Sequence, residues 1–239
     1  VSGIKDISLT TNGILLGGHA AELKKSGLKR INISLDSLRQ DRYAWITRGG
    51  NLSEVLEGIR ESFKLDFSLI KINVLLLDEM SRLEISDFPR WTIEYPIHVR
   101  FLEFMPINSF YKIGKFISAA EVLGVARRFC GIEEAYIYGN GPAKAYRFKN
   151  ALGTFAIISP ITDKFCVYCN RLRLTSTGSL KPCLHSDQVV NLRPHLRRGV
   201  SREGLIKLIE LAVDSKPKEH SLDKPARQSL EYSMCQIGG

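Results

Sequence analysis

The sequence predicts an α/β protein, with an incomplete TIM-like (β/α) barrel over residues 1–110 and a C-terminal α+β region over residues 111–239. Three observations predict this class. Four apolar, β-branched segments recur in the first part of the chain, helical periodicity lies between them, and the alternation stops after Pro106. Strands that alternate with crossover helices pair in parallel, so a barrel-like or doubly wound sheet is expected.

The predicted strands are each followed by polar or turn-forming residues and span residues 4–9, 31–35, 70–77 and 98–104. Between them, residues 51–64 carry apolar side chains at helical spacing. A shorter helical segment, residues 20–25, ends at Gly27, because glycine is a common helix stop.

Beyond Pro106 the expected elements are shorter. Ser118 and Glu121 form the capping-box pattern of a helix start, and strand-like runs surround Tyr146 and Phe155. A last helix is predicted over residues 201–214, with apolar side chains on one face.

Composition and charge narrow the function classes. The chain has 239 residues, 44% of them hydrophobic, and a formal net charge of +9. It contains no apolar stretch long enough for a membrane helix and no secretory signal, so a cytoplasmic protein without membrane contact is expected, or a mitochondrial one if the source is eukaryotic. The positive charge favours anionic partners such as phosphates, nucleotides or nucleic acid.

Three of the five cysteines are close together in sequence. Cys166 and Cys169 form a C-x-x-C pair, and Cys183 follows after a hairpin pattern with Gly178 at its turn. The pair can converge on one metal across a tight turn, and a hairpin would bring the third thiol back beside it. The spacing therefore predicts a metal centre on these three cysteines.

The residues alone leave the metal open. A structural zinc needs four protein ligands, and His185 could be the fourth. Three thiolates would instead leave one iron of a cubane cluster open to a substrate atom. Arg171 and Arg173 follow Cys169 and are two residues apart, so in a strand both side chains would project to the same face beside the metal. There their guanidinium groups could bind phosphate.

Polar residues also lie at or just after the ends of the predicted strands of the first region. Barrel active sites form at the carboxyl ends of the strands, so Thr10, Ser34 and Glu103 are candidates for ligand contacts. Lys71 and Asn73 share a strand face, and a lysine that points into a barrel is unusual enough to indicate function.

Together these segments resemble the GTP 3′,8-cyclase family of radical S-adenosylmethionine (SAM) enzymes, which begin molybdenum cofactor synthesis. The resemblance runs in order through nearly the whole chain. Its segments are Leu-Thr-Thr-Asn-Gly from Leu9, Ile-Asn-Ile-Ser-Leu-Asp-Ser from Ile31, Ile-Lys-Ile-Asn-Val from Ile70, Val-Arg-Phe-Leu-Glu-Phe-Met-Pro from Val99, Gly-Pro-Ala-Lys from Gly141, Cys-Asn-Arg-Leu-Arg-Leu-Thr from Cys169, Leu-Lys-Pro-Cys-Leu from Leu180, and the final Gly-Gly.

The resemblance implies a partial radical SAM barrel and a substrate-binding [4Fe–4S] cluster on the three cysteines. It implies conversion of GTP to (8S)-3′,8-cyclo-7,8-dihydroguanosine 5′-triphosphate, with GTP and SAM as partners; a homodimer is compatible with it, and nucleic acid is not favoured. By motif position, Ser34 and Met105 would contact SAM. GTP would be held by Thr10 and four basic residues, Lys71, Arg100, Arg171 and Arg173, and catalytic roles would fall on Arg171, Arg173, Gly238 and Gly239.

The sequence also departs from the family pattern. The family binds its SAM cluster through a C-x-x-x-C-x-x-C motif, and this chain has no cysteine before Cys130. We therefore expect a chain truncated at its N-terminus that does not generate the radical, with SAM and the second [4Fe–4S] cluster belonging to the full-length protein. His185 stands where the family commonly has an aromatic residue, which keeps a zinc-stabilised nucleic-acid or protein binding module as the alternative. A different radical-enzyme maturase is less favoured because such domains use more cysteines.

Overall fold

The computed structural model describes residues 3–77, 82, 84–105, 116–137 and 141–220. The chain divides into two compact units. The first comprises Val1–Phe104 and Ile113–Thr162, and the second comprises Met105–Lys112 and Asp163–Gly239. Each unit has its own sheet and its own cluster of buried apolar side chains.

A seven-stranded mixed sheet forms the first unit, in the order β1-β2-β3-β4-β7-β6-β5. Strands β1 to β4 and β7 are parallel, whereas β6 and β5 continue the sheet in antiparallel pairing. The strands are β1 (Ser8–Thr11), β2 (Arg30–Ser34), β3 (Leu69–Leu76), β4 (His98–Glu103), β5 (Ile132–Ala135), β6 (Lys144–Phe148) and β7 (Thr154–Ile158). Among the described strands β1 and β5 are the two edges, so the sheet is open, and the predicted α/β class is confirmed.

The helices of this unit are α1 (Leu16–Lys25), α2 (Gln40–Thr47), α3 (Leu52–Lys64), α4 (Asp87–Glu94) and α5 (Ala119–Phe129). Local chemistry sets their ends. The Asn51 side chain accepts a hydrogen bond from Ser53 N at the start of α3, and Ser118 and Glu121 form the predicted capping box of α5. Gly27, with φ of +94°, follows the C-cap of α1. Across the described residues, the helices are too short or too polar to pass through a membrane.

The parallel sheet extends further along the chain than the sequence pattern indicates. β7 pairs in parallel with β4, with Val99 opposite Phe155, so residues 113–162 complete the sheet that β1 to β4 begin. A division at residue 110 would separate these hydrogen-bonded neighbours. The observed units therefore differ from the predicted boundary, because β5 and β6 lead the chain back to the middle of the sheet.

The two faces of the sheet differ in polarity. On one face, side chains such as Ile33, Ile72 and Phe101 are fully buried against the helices, together with Val55 and Ile59 of α3. Burial of these side chains stabilises the unit by roughly 1.5–3 kcal/mol each. Because side chains alternate along a strand, the opposite face carries the polar residues of the same strands.

The second unit contains a small antiparallel sheet in the order β10-β9-β8. Its elements are β8 (Arg173–Leu174), β9 (Ser179–Lys181), β10 (Val190–Asn191), α6 (Arg193–Arg197) and α7 (Arg202–Asp214), and a single 3₁₀ turn, Cys166–Tyr168, precedes them. β8 and β9 form the predicted hairpin, in which Leu174 pairs with Leu180 and Gly178 has φ of +84°. These elements agree with the predicted α+β character of the C-terminal region.

Candidate functional site

Five side chains from four parallel strands share one face of the first sheet, and we call them the polar face: Thr10, Asn32, Lys71, Asn73 and Arg100. Strand register places them there. Thr10 lies opposite Asn32, Asn32 opposite Lys71, and Asn73 opposite Arg100, and residues that pair in register project to the same side. The structure thus brings together the three predicted GTP contacts of the first unit, Thr10, Lys71 and Arg100.

Arg100 is held in place by two asparagines. Its Nε donates to Asn73 Oδ1 at 2.8 Å, and its Nη2 donates to Asn32 Oδ1 at 3.0 Å. The Asn32 amide nitrogen in turn donates to Leu9 O at 3.2 Å and to Thr10 Oγ1 at 3.4 Å. These bonds fix the guanidinium plane, and a fixed guanidinium plane favours directional binding of an anion.

The Lys71 side chain is 9% exposed. Burial, followed by the nearby charges of Arg100 and Arg30, lowers its pKa to about 8, while Asp6 opposes the shift. Arg30 is itself paired with Asp6. Within the described part of the chain, no hydrogen bond or ion pair holds the Lys71 ammonium group. A buried cation without a hydrogen-bonded partner is costly to keep, and an anionic ligand would relieve that cost.

His98 lies next to Lys71 in register on the same face and is 2% exposed. Its Nδ1 is 2.8 Å from Thr154 Oγ1. Burial lowers the His98 pKa to about 3, and the charges of Arg100 and Lys71 contribute. The imidazole is therefore neutral near pH 7 and adds no charge to the polar face.

The carboxyl ends of β2 and β4 carry the other predicted residues of this region. Ser34, a predicted SAM contact, is exposed at the end of β2, and Asp36 beyond it accepts a hydrogen bond from Leu75 N at 2.8 Å. Glu103 is fully buried and accepts from Ala119 N, Ile161 N and Thr162 N at 3.0–3.1 Å. Met105, the second predicted SAM contact, is half-buried and belongs to the second unit.

Cys166 and Cys169 lie at the two ends of the 3₁₀ turn, where Cys169 N donates to Cys166 O at 3.1 Å. Cys183 comes two residues after β9, and all three thiols are half-buried. In the described residues, no three His, Cys, Asp or Glu side chains are close enough together to hold a metal ion. The thiols thus match a cluster in number and type, but the structure does not gather them at metal-binding distance.

Arg173 interacts electrostatically with cysteines from both segments, Cys169 and Cys183. Burial lowers its pKa, and the Arg171 charge adds to this, whereas Cys183 and Cys169 raise it. Both cysteines are therefore within electrostatic reach of the Arg173 guanidinium. The exposed Arg171 places its guanidinium 5.7 Å from the centre of the Phe165 ring.

His185 is 6% exposed, and its ring packs edge-on against His220, with centroids 5.3 Å apart. The remaining predicted catalytic residues, Gly238 and Gly239, lie outside the described residues. Sequence reasoning missed Asn32, His98 and Thr154. The sequence did contain a signal for Asn32. A polar residue between Ile31 and Ile33 gives the alternation of a strand with one apolar and one polar face, and Asn32 lies on the polar one.

Two family models and several curated relatives match the chain. The family model described as Radical SAM superfamily matches residues 1–91, and the one described as Molybdenum Cofactor Synthesis C matches residues 97–222. Curated relatives named GTP 3′,8-cyclase come from Desulforamulus reducens and Peptoclostridium acidaminophilum. The first is 43% identical over 242 residues, which are 100% of this chain and 74% of the relative. The second is 45% identical over 240 residues, which are 99% of this chain and 72% of the relative.

A third relative with the same name, from Moorella thermoacetica, is 41% identical over 241 residues that cover 100% of this chain and 74% of its own length. Identity at this level across the whole chain, together with the two family models, establishes the relationship. The chain belongs to the GTP 3′,8-cyclase family of radical SAM proteins.

Proposed function

We propose that the chain acts in molybdenum cofactor biosynthesis, where it binds GTP and holds it for conversion to (8S)-3′,8-cyclo-7,8-dihydroguanosine 5′-triphosphate. The observation that carries this proposal is the pair of cations on the polar face, Lys71 and Arg100. Arg100 is oriented by Asn32 and Asn73, and the Lys71 ammonium has no bonded partner among the described residues. A buried lysine and a half-buried arginine arranged in this way suit a polyanionic ligand such as a triphosphate.

We further propose that Cys166, Cys169 and Cys183 hold a [4Fe–4S] cluster. Two of the thiols lie at the ends of one short turn and the third follows the hairpin, and thiols are the ligand type that iron-sulfur clusters require. When bound, such a cluster supplies an iron with an open position for the guanine edge of GTP. Arg171 and Arg173 would supply positive charge beside the cysteines and bind oxygen atoms of the nucleotide.

Ser34 and Met105 are the proposed SAM contacts. The five cysteines of the 239-residue chain do not include a C-x-x-x-C-x-x-C motif. We therefore propose that this polypeptide binds GTP but does not itself cleave SAM. The proposed compartment is the cytoplasm, or the mitochondrion in a eukaryote, where reducing conditions keep thiols available for a cluster.

GTP titration of the anaerobically purified chain tests the substrate proposal. Lys71→Met and the double variant Arg171→Ala/Arg173→Ala are each expected to weaken GTP binding by about tenfold or more, because each loses charge-assisted hydrogen bonds. Lys25→Ala is the matched control, since this lysine lies in the last turn of α1 and outside the polar face. Wild-type GTP affinity in both variants would contradict the proposal.

A zinc-stabilised nucleic-acid binding module is the competing class, and the same proteins distinguish it. Tight RNA binding together with GTP affinity that survives the loss of Arg171 and Arg173 would favour that class. Incubation of the chain with SAM and a reductant tests the second part of the proposal. No deoxyadenosine is expected, and measurable deoxyadenosine would contradict it.

A further inference from the structure

The segment Lys216–His220, directly after α7, contacts all parts of the chain that carry the three cysteines. Every contacted residue is within two positions of a cysteine: Lys216 contacts residues near Cys169 and Cys183, Glu219 contacts one near Cys166, and His220 contacts a second one near Cys183. All of these contacts lie within the second unit. The predicted site residues do not include any member of this segment.

Lys216 makes the most direct connection. Its half-buried ammonium donates to Arg171 O at 2.6 Å and to Pro182 O at 3.1 Å. Arg171 is two residues after Cys169, and Pro182 immediately precedes Cys183. The Lys216 ammonium therefore joins the backbone segment that carries Cys169 to the one that carries Cys183. Hydrogen bonds from a charged donor are stronger than those between neutral groups.

The other two contacts flank the same cysteines. Glu219 lies 3.5 Å from Lys164, two residues before Cys166. This pair is weak because the Glu219 side chain is 60% exposed. The His220 ring is 6% exposed and packs edge-on against His185, two residues after Cys183.

Helix α7 gives this segment a fixed starting point. Its buried Ala212 and the half-buried Leu205 and Leu208 pack against Leu180 of β9 and against Leu192. The helix ends at Asp214 with Ser215 as its C-cap, Lys216 N donates to Val213 O at 3.0 Å, and Pro217 prevents the helix from continuing. Lys216 thus lies two residues beyond a helix that is packed on β9, the strand that leads to Cys183.

We propose that Lys216 is a positioning residue for the cysteine site, which sets the separation of the Cys169 and Cys183 segments by binding a carbonyl oxygen from each. His220 supports the same site through His185. This inference rests on the proposed function, because it assumes that the three cysteines hold a cluster. It assigns a role to a residue that does not supply a ligand, as the outer partners of metal sites commonly do.

Four proteins test the proposal: wild type, Lys216→Met, Lys216→Arg and Lys218→Ala. Met keeps the length of the side chain without its donors, and Arg restores a charged donor. Lys218 is exposed in the same segment and is the matched control. Each is reconstituted anaerobically with iron and sulfide, and the release of iron to a chelator is timed. Hydrogen exchange of residues 170–183 is measured in the metal-free proteins.

Lys216→Met is expected to release iron at least about tenfold faster than wild type, with faster exchange confined to residues 170–183. Lys216→Arg should recover both properties in large part, and Lys218→Ala should match wild type. Exchange and release rates in Lys216→Met equal to those of Lys218→Ala would overturn the proposal. If Lys216→Met does not fold, Lys216→Gln decides in the same way, since its shorter, neutral side chain loses the charge and the reach to both carbonyl oxygens.

The proposed cluster and the positioning role of Lys216 can fail separately. A wild-type chain that takes up no iron would contradict the proposed cluster, whatever Lys216 does. Exchange in the metal-free proteins still measures whether Lys216 joins the two segments. Normal iron uptake with unchanged exchange in the variants would contradict the positioning role alone.

Discussion

Arg100 on β4 reaches past β3 to Asn32 on β2, where its Nη2 donates to Asn32 Oδ1 at 3.0 Å. The same guanidinium binds Asn73 on the strand between them. Since Asn32 also donates to Thr10 on β1, one hydrogen-bonded network extends over four parallel strands. The network orients a cation and leaves Lys71 beside it without a bonded partner in the described residues, which is the basis of the proposed GTP site.

Replacement of Asn32 tests this network. Asn32→Ala removes the acceptor for Arg100 and the donor to Leu9 O and Thr10, so it should lower the free energy of unfolding by about 1–2 kcal/mol. GTP affinity should fall with it because Arg100 loses its orientation. Denaturant unfolding and GTP titration measure the two effects. Asn12→Ala, which loses the local turn hydrogen bond that Ile14 N donates to Asn12 Oδ1, is the control and should leave GTP affinity unchanged.

Replacement of Lys71 should have opposite effects on the stability of the protein and on its affinity for GTP. Lys71→Met removes a buried charge near Arg100 and Arg30, so the free energy of unfolding at pH 7 should rise by on the order of 1 kcal/mol. GTP affinity should fall. The folded-state pKa of Lys71, about 8, lies below its ordinary value of 10.5, so the folded state binds fewer protons between these values. The stability advantage of the variant should therefore be full below about pH 8 and shrink above it.

Thermal unfolding of wild type and Lys71→Met over that pH range measures the difference. A variant less stable than wild type at neutral pH would mean that the Lys71 charge already has a stabilising partner. A stability difference that does not change with pH would contradict the lowered pKa.

His98 should make the protein sensitive to acid. Its folded-state pKa is about 3, against an ordinary value of 6.5, so the unfolded state binds more protons between these values. Stability must then fall as the pH drops through this window, by at most about 1.4 kcal/mol per pH unit from this group. His98→Gln keeps a hydrogen-bonding group for Thr154 and should show a shallower fall. Denaturant unfolding between about pH 4 and about pH 7 compares the two slopes, and equal slopes would contradict a buried, neutral imidazole.

Glu103 should tolerate even an isosteric change poorly. Its carboxylate accepts hydrogen bonds from Ala119 N, Ile161 N, Thr162 N and Thr162 Oγ1. Glu103→Gln puts an amide donor against these donors, so we expect a loss of about 2–4 kcal/mol in the free energy of unfolding. Glu57→Gln, at an exposed ion pair, should change it by less than about 0.5 kcal/mol. A comparable loss in the two variants would show that Glu103 does not fasten the end of β4.

The sequence pattern predicted β2, β3 and β4 to within one residue, because buried β-branched runs have a distinctive period. It placed the first strand too early. Ile4 and Ile7 are 58% and 51% exposed, and β1 begins only at Ser8, so apolar composition was a poor guide where the side chains stay exposed. The pairing of β7 with β4 was not predictable, since sequence periodicity carries no information about contacts between distant segments.

The candidate site was predictable in part for the same reason. Alternation along β3 placed Lys71 and Asn73 on one face, and the hairpin around Gly178 followed from its turn residue. The bonds from Arg100 to Asn32 and from Lys216 to Arg171 O depend on strand register and on how α7 packs. Neither can be inferred from local sequence.

Metal and acid-labile sulfide analysis of the chain purified without oxygen, together with its absorption spectrum, tests the central claim most directly. The account predicts about four iron and four sulfide per chain, as one cubane cluster on Cys166, Cys169 and Cys183. One zinc per chain and no sulfide would mean that His185 completes a structural site, and would contradict the account.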